Sequence, residues 1–557
     1  MSKLQDLEDA IRNPQYKVIS FDMFDTLVLR PSIFPTDLFT IVGRVCGWAD
    51  SFSLIRKNSE RFARQQQSIG VDEISFFNIY DMMKNYYNYS SDEIKAFAHN
   101  ELDCEYSLIY ARKSAKRLFD LAVGLGKKVI IVSDIYLSHS FVLNVLSHCG
   151  YTNFYKVYLS SDYKMTKNTG RLYQLVKAEM SKQGINASEI LHIGDNESSD
   201  VAIAKREGID ALQIRRVENV ANTDVTFRRL RSLSDRRCDN TFLMGFAANR
   251  IYDIYDKKCL GNNLRFITDA KSVTNILIAP LVFSYAKWLI DEYCRCNKKR
   301  IVFIGNEGML LENVIRIISE YIAPDLTILR YENDVNFQRW GYGSIEDVFK
   351  SSIDPHMMVG DFIAQFVDLP LGQRELSAIQ KHGYKTFDEK VGYVNAYLPL
   401  VNEIIALKEA DLEHRIKEIQ ENTPALFDEQ SLVFSTKHAD ILNRIMHTSG
   451  CNNVVYTIFS ESTSQINNLN FMVQFGRMSQ RDLMSVRQRL EVIIDSSCNN
   501  PYRIVGNSVD ISGEVLDYAI KFCHLFGKYI QYLHLDSYQF YEFIRLAFYE
   551  YKDFILH

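Results

Sequence analysis

Long apolar runs, clustered cysteines and a large excess of either charge are all missing from this 557-residue chain, and each absence removes a class of protein. The longest apolar stretch, Ile276 to Phe283, contains Pro280 and is followed by Tyr285 and Lys287, too short to span a bilayer, so no transmembrane segment is expected. The ten cysteines show no paired metal-ligand spacing, and Cys294 and Cys296 read as ordinary helix-surface thiols; a reduced, cytoplasmic setting is the expectation. The first eleven residues are charged and polar and do not read as a signal peptide. A net charge of −5 gives no basis for nucleic acid as the main partner. There is no internal repeat and no low-complexity tract. Gly305-Asn306-Glu307-Gly308 lacks the full dinucleotide fingerprint and reads as a tight turn.

What is present is an ordinary globular composition, 47% hydrophobic and 24% charged, in a chain long enough for about three or four domains. Residues 15 to 22 form the first expected strand. Some 85 mostly helical residues follow, too many for a simple crossover, and so read as an inserted cap. Within them Phe52 to Gln66 is amphipathic, and Ser90-Ser91-Asp92-Glu93 resembles a capping box opening a helix towards Val123. Further strands are expected at Lys128 to Ser133, Phe154 to Leu159, Glu189 to Ile193 and Ala211 to Ile214, alternating with helices as in a doubly wound α/β domain. The division is then 1–220 for this domain, with the cap at about 33–116, 240–395 for a second Rossmann-like α/β domain, and 396–557 for a mainly helical region. The second domain is read from the strand, turn, helix and strand of Lys299 to Tyr331. The helical region is read from Leu400 to Ile419 and Val515 to Tyr532, and an aromatic tail runs from Tyr538 to Phe554.

Ligands of an open parallel sheet bind beyond the carboxyl ends of its strands. Those ends offer Asp22, Ser133, the loop carrying Lys164 and Lys167, and Asp195 followed by Asp200. Taken singly, each has a structural use: turn or cap residue for Asp22 and Ser133, solvated loop residue for the lysines, and helix N-terminal acid for Asp195 and Asp200.

Taken in order and spacing, the four positions resemble the four motifs of the haloacid dehalogenase-like hydrolase superfamily. The fuller strings Ser-Phe-Asp-Met-Phe-Asp-Thr-Leu with Arg30 after it, Ser-Asp-Ile-Tyr-Leu at 133–137 and His-Ile-Gly-Asp-Asn at 192–196 resemble a bacterial subgroup linked to surface polysaccharide biosynthesis. The resemblance implies a Rossmann-like core with a helical cap, and Asp22 as nucleophile. It implies Ser133 as a phosphoryl-oxygen ligand and Lys167, just before Gly170-Arg171-Leu172-Tyr173, as the charge-neutralising lysine. Mg²⁺ would be held by Asp22, the Phe24 carbonyl and Asp195, with Asp200 behind them. A carboxylate can attack phosphorus only if a cation draws charge off the phosphoryl oxygens, which is why such a site needs a metal.

One position departs. The family's phosphatases carry a second aspartate two residues after the nucleophile, where it protonates the leaving oxygen; here it is Phe24, and Asp25 replaces it only if the backbone turns sharply. Good leaving groups, such as anhydrides and acyl phosphates, are compatible with that loss. The expected function is a Mg²⁺-dependent phosphatase for a small phosphorylated substrate, sugar-linked if the polysaccharide resemblance holds. The alternatives are a catalytically weak scaffold component with protein partners through its C-terminal region, and metal-free dehalogenation. In the cap, Arg56, Glu60 and Arg64 share one helical face, and Arg56 is a candidate substrate-binding residue beside the reading of an ion-pair ladder.

Overall fold

Val18-Ile19-Ser20-Phe21 combines β-branched and aromatic residues without a polar face, which suits a strand covered on both sides. In the computed structural model this strand is the middle of a five-stranded parallel sheet. The structure describes residues 4–48, 51–234, 238–253, 270–331, 354–364, 371–392, 399–401, shorter stretches between 403 and 493, and 510–535. The strands are β1 (Val18–Phe21), β2 (Val28–Leu29), β3 (Tyr110–Ala111), β4 (Lys128–Ser133), β5 (Lys156–Leu159), β6 (Ile190–Gly194), β7 (Asp210–Gln213), β8 (Arg300–Ile304), β9 (Thr327–Tyr331), β10 (Ser431–Phe434) and β11 (Val455–Tyr456).

The first sheet has the order β5-β4-β1-β6-β7, and Phe21 stands in register with Ile131 on one side and Ile193 on the other. From β1 the chain builds outward through β4 and β5, then returns to add β6 and β7 on the opposite side. Strand order therefore reverses beside β1, which places Asp22 at the switch point where such sheets take ligands. The α/β class expected from the sequence is the one observed, with β4 to β7 each within two residues of its expected start.

The cap is inserted between β2 and β3, which pair antiparallel as a two-stranded stalk, Val28 opposite Ala111 and Leu29 opposite Tyr110. The capping box forms: Ser90 accepts from the Glu93 amide and Glu93 from the Ser90 amide. The helix it opens does not run on to Val123 as expected. It covers Ser91–Leu108, and a second helix, Lys113–Gly124, starts only after β3. The interruption follows from β3 pairing with β2, which takes Tyr110 and Ala111 out of helical register.

The chain divides into two compact units, Met1–Ser284 with Arg503–His557, and Tyr285–Tyr502. The cuts fall elsewhere than in the sequence division: helices Val225–Ser234, Cys238–Tyr252 and Ile511–Phe526 belong with the first sheet. The second unit carries a parallel sheet, β11-β10-β8-β9, whose strands β10 and β11 lie beyond the strand-helix-strand segment recognised in the sequence. Gly305 and Gly308 turn the chain after β8, both at positive φ (54° and 66°), as a tight turn requires. Most of Leu400 to Ile419, and the whole tail Tyr538 to Phe554, lie outside the described residues.

Pro280 does not end its apolar run. Helix continues from Ala270 through a π-turn, Thr274–Ile278, into Ala279–Arg295. A widened turn just before a proline accommodates the missing N–H. The stretch Lys271–Arg295 is thereby long and apolar enough to cross a membrane by length and composition, yet 94% of its most apolar window is buried within the protein.

Candidate active site

β1 and β6 end side by side, and their ends carry Asp22 and Asp195 into a buried cluster with Asp200 and Lys167. The lysine joins the acids: its Nζ donates to Asp22 Oδ1 at 2.5 Å and to Asp200 Oδ1 at 2.6 Å. Lys167 is placed by its loop, since its backbone N–H donates to Asp134 Oδ1 at 2.7 Å and that of Asn168 to Asp134 Oδ2 at 3.3 Å. Lys164, the competing lysine, instead sits at φ 54° in the preceding turn, where its carbonyl accepts from the Asp72 amide. Ser133 ends β4, the strand beside β1, and is buried.

Gly194 explains how Asp200 reaches the strand end. A Cβ at 194 would lie 2.5 Å from the Asp200 carboxyl carbon, so no other residue fits without displacing it. Asp200 itself stands in a π-turn, Glu197–Ala202, and accepts from the Asn196 amide at 2.9 Å. Such turns recur at functional sites because they re-aim a side chain.

The charges are strongly interdependent. Burial pushes Asp22 well above the usual carboxylate range, with Asp200 and Asp195 adding to it and Lys167 opposing. Asp200 is held below that range: burial opposes, but Lys167 and His192 outweigh it. Burial works against charge on Lys167 too, yet Asp200 and Asp22 hold its pKa well above the ordinary lysine value. Beneath them His192 is fully buried, its Nδ1 2.7 Å from Ser20 Oγ, and burial lowers its pKa against the pull of Asp200.

Asp22, Asp195 and Asp200 each offer a carboxylate oxygen within 4.8 Å of the others. An all-oxygen donor set of this size suits a hard cation such as Mg²⁺ better than a soft one. Thr26 Oγ1 donates to Asp195 Oδ1 at 3.1 Å, and the Arg216 Nε donates to Asp195 Oδ2. Phe24, at the position where an acid was looked for, lies with its ring 4.6 Å from the Arg30 guanidinium. The sharp turn falls on Asp25, at φ 58°, a conformation that aspartate tolerates better than most residues. Its carboxylate stands 3.8 Å from Arg216 Nε, so one arginine touches both Asp25 and Asp195.

Arg56 is not available to a substrate, contrary to the candidate role. It is fully buried, grips Glu101 through Nε (2.7 Å) and Nη2 (2.9 Å), and lies 4.5 Å from the Phe39 ring. Tyr80 donates to the same Glu101 at 2.7 Å. The four-residue spacing correctly placed Arg56, Glu60 and Arg64 together as a ladder of ion pairs, exposed at the Arg64 end and buried at Arg56. Glu101→Gln is expected to lower stability by about 2 kcal/mol, the usual worth of hydrogen bonds to a charged group, and to leave KM unchanged. A raised KM in steady-state assays would restore Arg56 as a substrate reader.

Two further participants had weak sequence signals, and a third had none. Asp134 directly follows Ser133, and Arg216 stands three residues beyond β7, both at the edge already singled out. Arg112 had none: fully buried, it donates from Nε to Asp253 Oδ1 (2.8 Å), from Nη1 to the Asp25 carbonyl (2.9 Å) and from Nη2 to the Arg215 carbonyl (2.8 Å). It thus staples the loop after Asp22 to the segment bearing Arg216. A further clasp joins cap and core: Asp72 accepts from Thr169 Oγ1 (2.7 Å) and Arg171 Nη1 (3.1 Å), on either side of Gly170 and just past Lys167.

Fold and site together define an α/β protein with a buried lysine and three-carboxylate centre at the switch point of a parallel sheet. No protein-family model matches the sequence, and no curated protein does. Among solved structures the chain is similar to L-2-haloacid dehalogenase from Xanthobacter autotrophicus, at 16% identity and TM-score 0.27 over 36% of this chain and 77% of that one. It is similar also to the putative HAD-hydrolase YfnB from Bacillus subtilis bound to magnesium (14%, TM-score 0.27, 37% and 97%). A third is a predicted phosphoglycolate phosphatase from Haemophilus somnus (17%, TM-score 0.26, 36% and 85%). The functional reading below rests on the geometry of the site.

Proposed function

We propose that the protein is a Mg²⁺-dependent hydrolase of the haloacid dehalogenase-like type, a phosphatase working through an aspartyl-phosphate on Asp22. The observation that carries this is the Lys167 ammonium bridging Asp22 and Asp200 beside Asp195. The residues that would hold the metal are Asp22, the Phe24 carbonyl and Asp195, with Asp200 behind them. When bound, the ion withdraws charge from the phosphoryl oxygens and favours ionised Asp22. An oxygen of Asp22 attacks phosphorus as the bond from phosphorus to the leaving oxygen breaks and its electron pair departs with the leaving group, while Lys167 neutralises charge developing on the phosphoryl group and the Ser133 hydroxyl donates to one of its oxygens. Asp200 keeps Lys167 charged and aimed. Water then releases the phosphate and restores Asp22.

Metal-free dehalogenation would also use Asp22 and Lys167 and has Phe24 in its favour, whereas the three convergent carboxylates favour the metal-dependent reaction. The test is a panel of phosphate esters and anhydrides, sugar phosphates included, with Mg²⁺ and with EDTA. Turnover that EDTA stops and Mg²⁺ restores is the expected result. Halide release from 2-haloacids in EDTA, with no phosphate released from any substrate, would overturn it.

A further inference from the structure

Arg216 is a cation standing against the carboxylates that suit a metal, and the proposed reaction gives it no task. Its Nε donates to Asp195 Oδ2 and lies 3.8 Å from Asp25 Oδ2. The guanidinium thus sits between two acids, one inside the metal-suited set and one outside it. Asp195 does not need the arginine for its aim. Thr26 Oγ1 donates to its other carboxylate oxygen at 3.1 Å, and Gln213 Nε2 donates to its backbone carbonyl at 2.8 Å. What Arg216 does to Asp195 is therefore mainly electrostatic: it draws on charge that a divalent ion would use, and it sets a positive charge against that ion.

Asp25 offers the guanidinium a second place. Arg112 holds the Asp25 carbonyl at 2.9 Å and the Arg215 carbonyl at 2.8 Å, so the two backbones are fixed to each other by one buried side chain. The left-handed turn at Asp25, φ 58°, then leaves its carboxylate facing Arg216. The Arg216 side chain is 41% exposed and has room to turn, whereas that of Lys167, between Asp22 and Asp200, is only 4% exposed. About 1 Å of movement brings the Arg216 Nε within hydrogen-bond distance of Asp25.

We infer that Arg216 is a positioning residue that sets the metal affinity of the site by exchanging between two carboxylates. On Asp195 it competes with a divalent cation; on Asp25 it leaves Asp195 to that cation. The inference rests on the metal-dependent reading and deepens it, giving a role to Asp25, which lies outside the expected ligand set. The two residues then act with opposite signs. Arg216 weakens metal binding, and Asp25 strengthens it, but only while Arg216 is there to be drawn away. Partners of metal ligands typically move affinity by about 10–100-fold, so the effect is large enough to measure.

Isothermal titration calorimetry of the full chain with Mg²⁺ reads the dissociation constant with no substrate present. Arg216→Gln, which keeps a hydrogen-bond donor and loses the charge, should tighten binding about tenfold, a gain that misfolding cannot imitate. Arg216→Lys, which keeps the charge, should stay within about twofold of wild type. Asp25→Asn should weaken binding about fivefold in the wild-type background and less than about twofold in the presence of Arg216→Gln. That dependence separates the exchange from a direct pull of Asp25 on the metal, which would persist in both backgrounds. Asp195→Asn should remove the binding heat and so locate the ion. If Arg216→Gln loosens the constant or leaves it unchanged, or if Asp25→Asn has the same effect in both backgrounds, the inference is overturned while the metal-dependent reading stands. Binding that survives Asp195→Asn, or no Mg²⁺ binding by wild type, overturns both.

Discussion

Replacing Asp22 by asparagine is expected to abolish turnover while leaving the protein as stable as before, or more so. The amide is a poor nucleophile towards phosphorus, and loss of a covalent nucleophile costs on the order of 10⁴–10⁶ in kcat in enzymes where it has been dissected. Stability should move the other way. In the metal-free protein, burial, Asp200 and Asp195 make the Asp22 charge unfavourable, and its pKa is pushed well up. A neutral isostere removes that repulsion, while Lys167 keeps its bond to Asp200. For a unit of this size a gain of about 1 kcal/mol would appear as roughly 2–4 °C in the melting temperature. Rate assays and thermal melts on one preparation check both halves: Asp22→Asn enzyme that retains activity refutes the nucleophile, and a melting temperature that falls by several degrees refutes the electrostatic account.

The second large effect is expected far from the motifs. Asp253→Ala leaves the Arg112 guanidinium fully buried without its carboxylate and removes the acceptor of Ser114 Oγ (2.7 Å). Breaking a buried ion pair on one side costs about 3–5 kcal/mol, because the remaining charge stays desolvated. Activity should fall with stability, since Arg112 also holds the carbonyls of Asp25 and Arg215. Denaturant unfolding of the first unit, followed alongside kcat, measures both. A loss under 1 kcal/mol would show that the staple is dispensable. By the same logic a chain cut after residue 220 should not fold stably, because it lacks the partner of Arg112.

Much of the sheet edge that carries the acidic cluster was legible in the sequence, for a physical reason. Parallel strands buried on both faces appear as short apolar runs, and each run ends where polar residues begin, so Asp22, Ser133 and Asp195 announced themselves by position. The preference for Lys167 over Lys164 came from the resemblance, and it is the Lys167 ammonium that donates to Asp22 and Asp200. Pairings distant in sequence were not legible. Nothing local to Arg112 says that Asp253, 141 residues on, will neutralise it. The two-residue β3 was hidden inside a helical pattern, because Tyr110 and Ala111 acquire strand geometry only by pairing with β2. Arg56 shows the limit of periodicity: spacing tells which residues share a helical face, but not whether that face meets water or Glu101. Phe24 and Asp25 lie between these cases, since the departure was visible while the left-handed turn at Asp25 was not.

The clasp at Asp72 has a mechanical consequence. The cap joins the core through the two-residue strands of the stalk and through side chains elsewhere, Glu73 with Ser160 and Arg44 with Asp239 among them, and Asp72 ties the cap loop to Thr169 and Arg171. Any swing that lifts this loop must either release the clasp or pull on the segment holding Lys167. The position of the cap loop and the aim of the ammonium group are therefore linked through Asp72.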